Sequence, residues 1–258
     1  MSELRRLIEA LRFMTVLPLP KTGSLEPEWL THSAKYFPLA GILVGALSAA
    51  VLLVASEIFT GALPALLAVT AAILFTGALH EDGLADTADA LGGGRTREAR
   101  LAIMKDSRIG TYGALALGLG IALRVAALMA VPPQWGAAAL IAAHGGGRLA
   151  AFAVMAALPY AGERSAGKVA HSSERYGLTQ IVPAGLFALV SLAPALWLDI
   201  VAAVVAFDIA ALAALWLALR ARRLLGGYTG DVLGAAEQVF EIALLLAWAA
   251  LAGLQLGR

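Results

Sequence analysis

Between Leu79 and Asp89 a chain otherwise built from alanine, leucine, valine and glycine gathers His80, Glu81, Asp82, Asp86 and Asp89. Asp82, Asp86 and Asp89 are spaced by four and then three residues. At 3.6 residues per turn, a helix puts all three on one face. Like charges at that spacing repel, so a bare helix loses stability unless something positive offsets them. Carboxylate oxygens, with no cysteine and one nearby imidazole, are the donor set of a hard cation, Mg²⁺ or Mn²⁺. The plain alternative is a solvated helix whose acids pair with Arg95, Arg97 or Arg100. Directly after the cluster comes Gly92-Gly93-Gly94-Arg95. Glycines ahead of a basic residue let backbone N–H groups approach a phosphate, although a flexible linker has the same composition.

Two further polar groups border apolar runs. Lys105, Asp106, Ser107 and Arg108 precede Gly110 and Thr111. Lys105 and Arg108 have the chemistry to clamp phosphate oxygens, the arginine in bidentate fashion, and equally that of basic anchors at a span end. In Gly226-Gly227-Tyr228-Thr229-Gly230-Asp231, a hydroxyl and an acid stand among glycines at the start of a span, and Glu237 and Glu241 follow four residues apart. Three carboxylate-rich groups with Lys, Arg and Gly among them point to Mg²⁺-assisted chemistry on a diphosphate. There the ion offsets phosphate charge, orients the attack and stabilises the leaving group.

The elements that must hold these residues are set by composition. The chain has 258 residues, 60% hydrophobic and 14% charged, with a mean hydropathy of +0.81; a soluble domain carries roughly a quarter charged residues. Apolar runs at about 37–59, 62–79, 110–131, 136–158, 181–198, 200–219 and 237–256 have the length and purity of membrane spans. The expected fold is therefore all-α: a polytopic bundle of six or seven spans, one membrane-embedded unit over residues 1–258. Leu4, Leu7, Ile8 and Leu11 repeat at helical spacing among Arg5, Arg6, Glu9 and Arg12. That pattern suits a helix lying in the membrane interface, ended by Pro18 and Pro20, and not a cleavable signal. No cysteine is present, which excludes disulfides, thiol nucleophiles and Cys-bound metals. Membrane lipid is the expected surrounding, no nucleic-acid partner is expected, and a homo-oligomer is compatible with the chain.

With seven spans, segments 1–36, 80–109, 159–180 and 220–236 share one side and carry nearly all the basic residues, Arg164, Lys168 and Arg175 among them. The positive-inside rule makes that side cytoplasmic, so all the long loops and the three polar groups face the cytoplasm. Arg124 and Arg148 lie inside spans, where a charge must face a cavity or a paired acid. For Arg124 the structural reading is a pair with Asp208 or Glu241. Arg148 follows His144-Gly145-Gly146-Gly147, which permits close helix packing or a break, and is the better candidate for a functional cation.

Leu79 to Asp89, Gly92 to Gly94 and Met104-Lys105-Asp106-Ser107-Arg108-Ile109-Gly110-Thr111-Tyr112-Gly113 together resemble the cobalamin synthase family, the adenosylcobinamide-GDP ribazoletransferases. Gly227 to Ala235 is similar to that family's second signature, Phe13 to Pro20 to its N-terminal region and Leu158-Pro159-Tyr160 to a mid-chain segment, so the resemblance covers essentially the whole chain. It implies a late step of vitamin B12 assembly. α-Ribazole or its 5′-phosphate would attack the diphosphate of adenosylcobinamide-GDP through its ribose 3′-hydroxyl, forming cobalamin or its 5′-phosphate and releasing GMP. It also implies Mg²⁺ and the cell inner membrane. A corrinoid is too large and polar to be enclosed among lipid-facing spans, so the site should open to the cytoplasm.

On this resemblance Mg²⁺ is expected on Asp82, Asp86 and Asp89, with Asp231 or Glu81 as a further ligand. Gly93, Gly94, Arg95, Lys105, Arg108, Arg148 and Thr229 are expected to hold phosphate, and His80, Glu81 and Asp106 are the catalytic candidates. Other readings are a CDP-alcohol phosphotransferase, whose Asp order this sequence lacks, a prenyltransferase, or a divalent-metal transporter. The transporter reading requires acids on both sides of the membrane, and the outer side here is nearly devoid of polar residues.

Overall fold

The computed structural model describes residues 2–21, 23, 28–162 and 176–256, so the expected basic residues Arg164, Lys168 and Arg175 lie outside the described residues. Among the described residues eleven α-helices run in order: α1 Glu3–Met14, α2 Trp29–Ser33, α3 Phe37–Ile58, α4 Leu63–Thr76, α5 Leu79–Gly93, α6 Arg97–Ile103, α7 Thr111–Met129, α8 Pro133–Ala157, α9 Leu178–Leu198, α10 Ile200–Leu225 and α11 Gly230–Leu256. Six stretches of the described residues are long and apolar enough to cross a membrane, and α4 with α5 makes a seventh only as a pair bent by 91°. The protein is a polytopic helical membrane protein.

The bundle is built around α8, which packs on α3, α9 and α11. Small residues set the approach. A Cβ on Gly41 would lie 2.3 Å from the His144 carbonyl oxygen, and one on Gly45 2.8 Å from Ile141 Cα, so α3 and α8 touch backbone to backbone. Without a hydrophobic drive between helices in lipid, such contacts rest on packing that only small side chains allow. Gly145, Gly146 and Gly147 do the same for the other neighbours of α8, meeting Ser191, Phe240 and Glu237 respectively. The glycine triplet is a packing surface in an unbroken helix. Facing outward, Leu186, Leu189, Trp197, Leu212 and Trp216 on α9 and α10 are exposed, as a lipid-facing surface requires.

The N-terminal helix forms as its periodicity predicts but ends at Met14, with extended backbone from Thr15 and ahead of both prolines. Its contact with the bundle runs through buried Ala10 and Met14, whereas Leu4 stays 67% exposed. Of the leucine stripe only Leu4 is exposed: Leu7 and Ile8 are half-buried, and Leu11 packs against the core. At its start, Glu3 pairs with Lys35 Nζ at 2.6 Å and accepts the Tyr36 hydroxyl at 2.7 Å.

The run expected as one span at about 62–79 differs. The chain turns at Gly77 and Ala78, both with left-handed backbone (φ 65° and 58°), so α4 is only 14 residues long, short of a full crossing. Helix α5 then runs antiparallel along α7: Asp89 meets Gly110 and Gly113, Leu84 lies beside Gly120, and Glu81 reaches Arg124. Arg124 is thirteen residues into α7, about 20 Å along its axis. The acidic helix therefore starts deep in the bundle. It was expected at the membrane surface, but the left-handed break redirects the chain inward, where its first polar side chains find buried partners.

Candidate active site

Helices α5 and α11 approach through glycine. A Cβ on Gly83 would sit 2.7 Å from the Asp231 carbonyl oxygen, and one on Gly234 3.2 Å from His80 Cα. That contact brings Asp82 beside Asp231, and Asp86 into the field of Asp82, Asp231 and Asp89 together. The second polar group thus completes the first across helices. Thr229 accepts the Val232 amide at 3.3 Å and lies 3.4 Å from the Asp231 carboxylate, fixing the start of α11.

These residues open onto a cavity of about 370 Å³ at the loop-bearing end of the bundle. His80, Asp82, Lys105, Tyr160, Thr229, Asp231 and Glu237 supply its polar lining; Phe13, Met14, Leu30, Phe37 and Met155 are among its apolar residues. Two short segments hold the rim. The Tyr228 amide donates to the Pro159 carbonyl at 2.9 Å and the Ala161 amide to the Tyr228 carbonyl at 2.8 Å. Arg97 straps both segments, donating to the carbonyls of Leu225 and Ala161 at 2.7 and 3.1 Å. Burial and the Asp231 charge push the Tyr160 phenol above its ordinary value, with Lys105 opposing, which places all three side chains around the same rim.

Asp89 behaves differently from its two helix mates. Its carboxylate accepts the Gly110 amide at 2.7 Å and the Gly113 amide at 2.8 Å, satisfying orphan donors of the first turn of α7. A Cβ on Gly113 would lie 2.3 Å from that carboxylate, so the Gly-x-x-Gly spacing is shaped to admit it. Expected as a metal ligand, Asp89 serves in this structure as a helix cap.

A buried ionic cluster lies beneath the cavity. His80 Nε2 is 2.9 Å from Glu237, off the line of a hydrogen bond. Arg148 lies 2.6 Å from Glu237 and 3.0 Å from Glu241. Glu241 also meets His144 Nδ1 at 2.6 Å and Arg124 at 3.6 Å, and Arg124 pairs with Glu81 at 3.2 Å. Three carboxylates thus face two guanidiniums and two imidazoles. Arg148, expected to hold phosphate, is 1% exposed and meets both acids through Nη1, and Glu81, expected as a catalytic or metal group, is turned to Arg124. Of the two partners expected for Arg124, Asp208 or Glu241, the structure shows Glu241, with Glu81 nearer still; His144 carries no expected partner. The signal was there: His144 and Arg148 on α8 and Glu237 and Glu241 on α11 are each four apart, two matched faces on helices that pack together.

The remaining expected phosphate and catalytic residues sit away from the cavity. Gly93 is the last residue of α5 and the Gly94 amide closes it by donating to the Ala90 carbonyl, so the glycine run ends a helix and forms no phosphate-embracing loop. Arg95 is exposed beyond it. Arg108 binds Asp106 through Nη2 at 2.6 Å on the exposed surface, and the pair holds the Asp106 carboxyl down at about 2. Phe37 and Met155, which the sequence did not single out, line the cavity together with Phe13 and Met14 of the N-terminal segment.

Residues 6–249 match the cobalamin-5-phosphate synthase family. The chain belongs to that family. Among its relatives, the adenosylcobinamide-GDP ribazoletransferase of Leptothrix cholodnii is 40% identical, covering 96% of both chains. That of Bradyrhizobium diazoefficiens is 43% identical over 96% of this chain and 94% of its own, and that of Shewanella frigidimarina 37% over 95% and 94%. No solved structure matches. Within the family frame, the resembling segments turn out to be mutual contacts: Gly83 packs on Asp231, Gly227 on Pro159, and Phe13 shares the cavity wall with Tyr160.

Whether the residues suit a hard cation can be judged from their donors. Asp82, Asp86 and Asp231 bring carboxylate oxygens from two helices into one field, yet among the described residues no three His, Asp or Glu side chains converge in liganding geometry. That combination fits Mg²⁺ shared with a substrate, since Mg²⁺ keeps waters and takes one or two carboxylates together with phosphate oxygens.

Proposed function

We propose that this protein joins adenosylcobinamide-GDP to α-ribazole or α-ribazole 5′-phosphate, giving adenosylcobalamin or its 5′-phosphate and GMP. Membership of the family supports the reaction, and the observation that carries the site is the meeting of Asp82 on α5 with Asp231 on α11 at the rim of the cavity. The ribose 3′-hydroxyl of the acceptor attacks the phosphorus bonded to the cobinamide side. The new P–O bond forms as the bond to the bridging oxygen breaks; GMP departs with that electron pair, and the hydroxyl proton passes to a base at the rim. His80 is the candidate base, since it lines the cavity with Glu237 behind it. Lys105 and Thr229 are placed to hold phosphate oxygens.

A Mg²⁺ ion held by one or two of Asp82, Asp86 and Asp231 together with substrate phosphate would offset the charge of the diphosphate and of departing GMP. The chain's own part is to orient: the α5–α11 contact fixes two carboxylates, and the paired 159–161 and 227–229 segments fix the rim. The cavity end also carries Arg97, Arg100, Lys105, Arg108, Arg222 and Arg223. This bias supports an inner-membrane protein whose site faces the cytoplasm.

The test is GMP release by purified protein in lipid, with each component omitted in turn. Release should require the ribazole, the corrinoid and Mg²⁺ together, and Asp82→Asn or Asp231→Asn should abolish it while membrane insertion persists. GMP formed without a ribazole, or full turnover in both variants, would overturn the reading.

A further inference from the structure

The cavity is lined mostly by apolar side chains with a few polar groups among them, and the proposed reaction has two large substrates. The apolar lining includes Phe13 and Met14 at the end of α1, Leu30 of α2, Phe37 of α3 and Met155 of α8, with Leu79, Leu101, Met104 and Leu233 beside the polar residues. Of the first five, all but Phe13 are buried, and the Phe13 and Phe37 rings stack with centroids 5.8 Å apart. Thioethers beside stacked aromatic rings form a soft, polarisable surface suited to a flat apolar ring. Asp82, Lys105, Thr229 and Asp231 line the same cavity, where the diphosphate would react.

Three groups compete for the apolar space. A corrin macrocycle with its polar amide arms would lose hydration against an apolar lining and suits the open mouth better than a cavity of about 370 Å³, near the small end of ligand pockets. Guanine would have to strip water from a carbonyl, an amino group and three ring nitrogens against hydrocarbon and sulfur, and polar groups buried without partners are costly. A benzimidazole is flat and mostly hydrocarbon, and loses little. Base-inward binding also leaves the attached ribose, with its attacking hydroxyl, at the polar rim.

Resting on the function proposed above, we infer that the pocket of Met14, Leu30, Phe37 and Met155 is the acceptor subsite. It takes the benzimidazole base of the ribazole, while the corrinoid and guanosine remain outside the mouth. The N-terminal helix thereby becomes part of the acceptor site, since its last two residues belong to the apolar lining. Selection among acceptor bases then follows buried apolar area. Each methyl removed from the base should weaken binding about fourfold, so that loss of both ring methyls costs about fifteenfold.

The experiment uses the full chain in lipid nanodiscs. Equilibrium dialysis measures binding of α-ribazole, its unmethylated benzimidazole analogue and an adenine riboside without the corrinoid; GMP release then gives KM for each substrate. The inference expects affinity to fall in that order, and Met155→Trp, which fills the cavity, to raise KM for α-ribazole at least tenfold while KM for adenosylcobinamide-GDP moves less than twofold. Equal affinity for all three ribosides overturns the subsite, as does a rise in KM confined to the corrinoid. If Met155→Trp fails to insert, the riboside series on the unaltered protein decides alone. Ordered binding of the ribosides without GMP release would sink the reaction and spare the subsite. Normal turnover that ignores the base would do the reverse.

Discussion

Replacing Arg148 with methionine separates a phosphate-binding arginine from one that neutralises buried acids. Arg148 is 1% exposed, and its Nη1 lies 2.6 Å from Glu237, 3.0 Å from Glu241 and 3.0 Å from the His144 carbonyl oxygen. Methionine keeps much of the volume but leaves Glu237 and Glu241, both fully buried, without their shared cation. Breaking a buried ion pair from one side costs about 3–5 kcal/mol. At about 2–4 °C per kcal/mol for a chain of this size, Tm should fall by roughly 6–20 °C. Scanning calorimetry or a thermal-shift measurement on protein in lipid reads the change directly. Adding Glu241→Gln should recover part of the loss, because the two substitutions act on one contact and their effects do not add; the coupling expected is about 0.5–3 kcal/mol. An unchanged Tm with a raised KM for adenosylcobinamide-GDP would refute this reasoning and return Arg148 to the phosphate.

Two other expectations follow from individual contacts. Asp89→Ala removes the acceptor for the Gly110 and Gly113 amides and should cost about 1–3 kcal/mol. Asp89→Asn, which keeps an acceptor, should retain measurable GMP release where Asp82→Asn does not; a silent Asp89→Asn with an unshifted Tm would make Asp89 a ligand after all. The Glu3 carboxyl is held at about 2 against an ordinary 4.5, chiefly by Lys35 and then by Tyr36. A depressed carboxyl stabilises the docked helix above its unfolded value and loses that contribution as pH falls from about 4.5 through 2. Hydrogen exchange of the α1 amides, corrected for intrinsic rate, should therefore speed up at pH 3 relative to pH 6, and Glu3→Gln should remove the difference.

The sequence alone determined the class of fold. Uninterrupted apolar length can be accommodated only as helices in lipid, because every backbone polar group must be satisfied within its own segment. The same local logic gave the N-terminal helix and the candidate carboxylates on α5, since helical spacing is a property of neighbouring residues. It could not tell which of three aspartates on one face meets which partner. Asp82 turns to Asp231, 149 positions away in the chain, whereas Asp89 is spent on the amides of α7. Nor could it fix depth: the left-handed turn at Gly77 and Ala78 swings the start of α5 inward, so that Glu81 reaches Arg124 while Asp82 stays exposed at the cavity. Arg148 shows the limit most clearly. A buried cation announces that it needs an anion, but only the packing of α8 on α11, set by Gly147 against Glu237, decides that the anion is a glutamate of this protein and not a phosphate of its substrate.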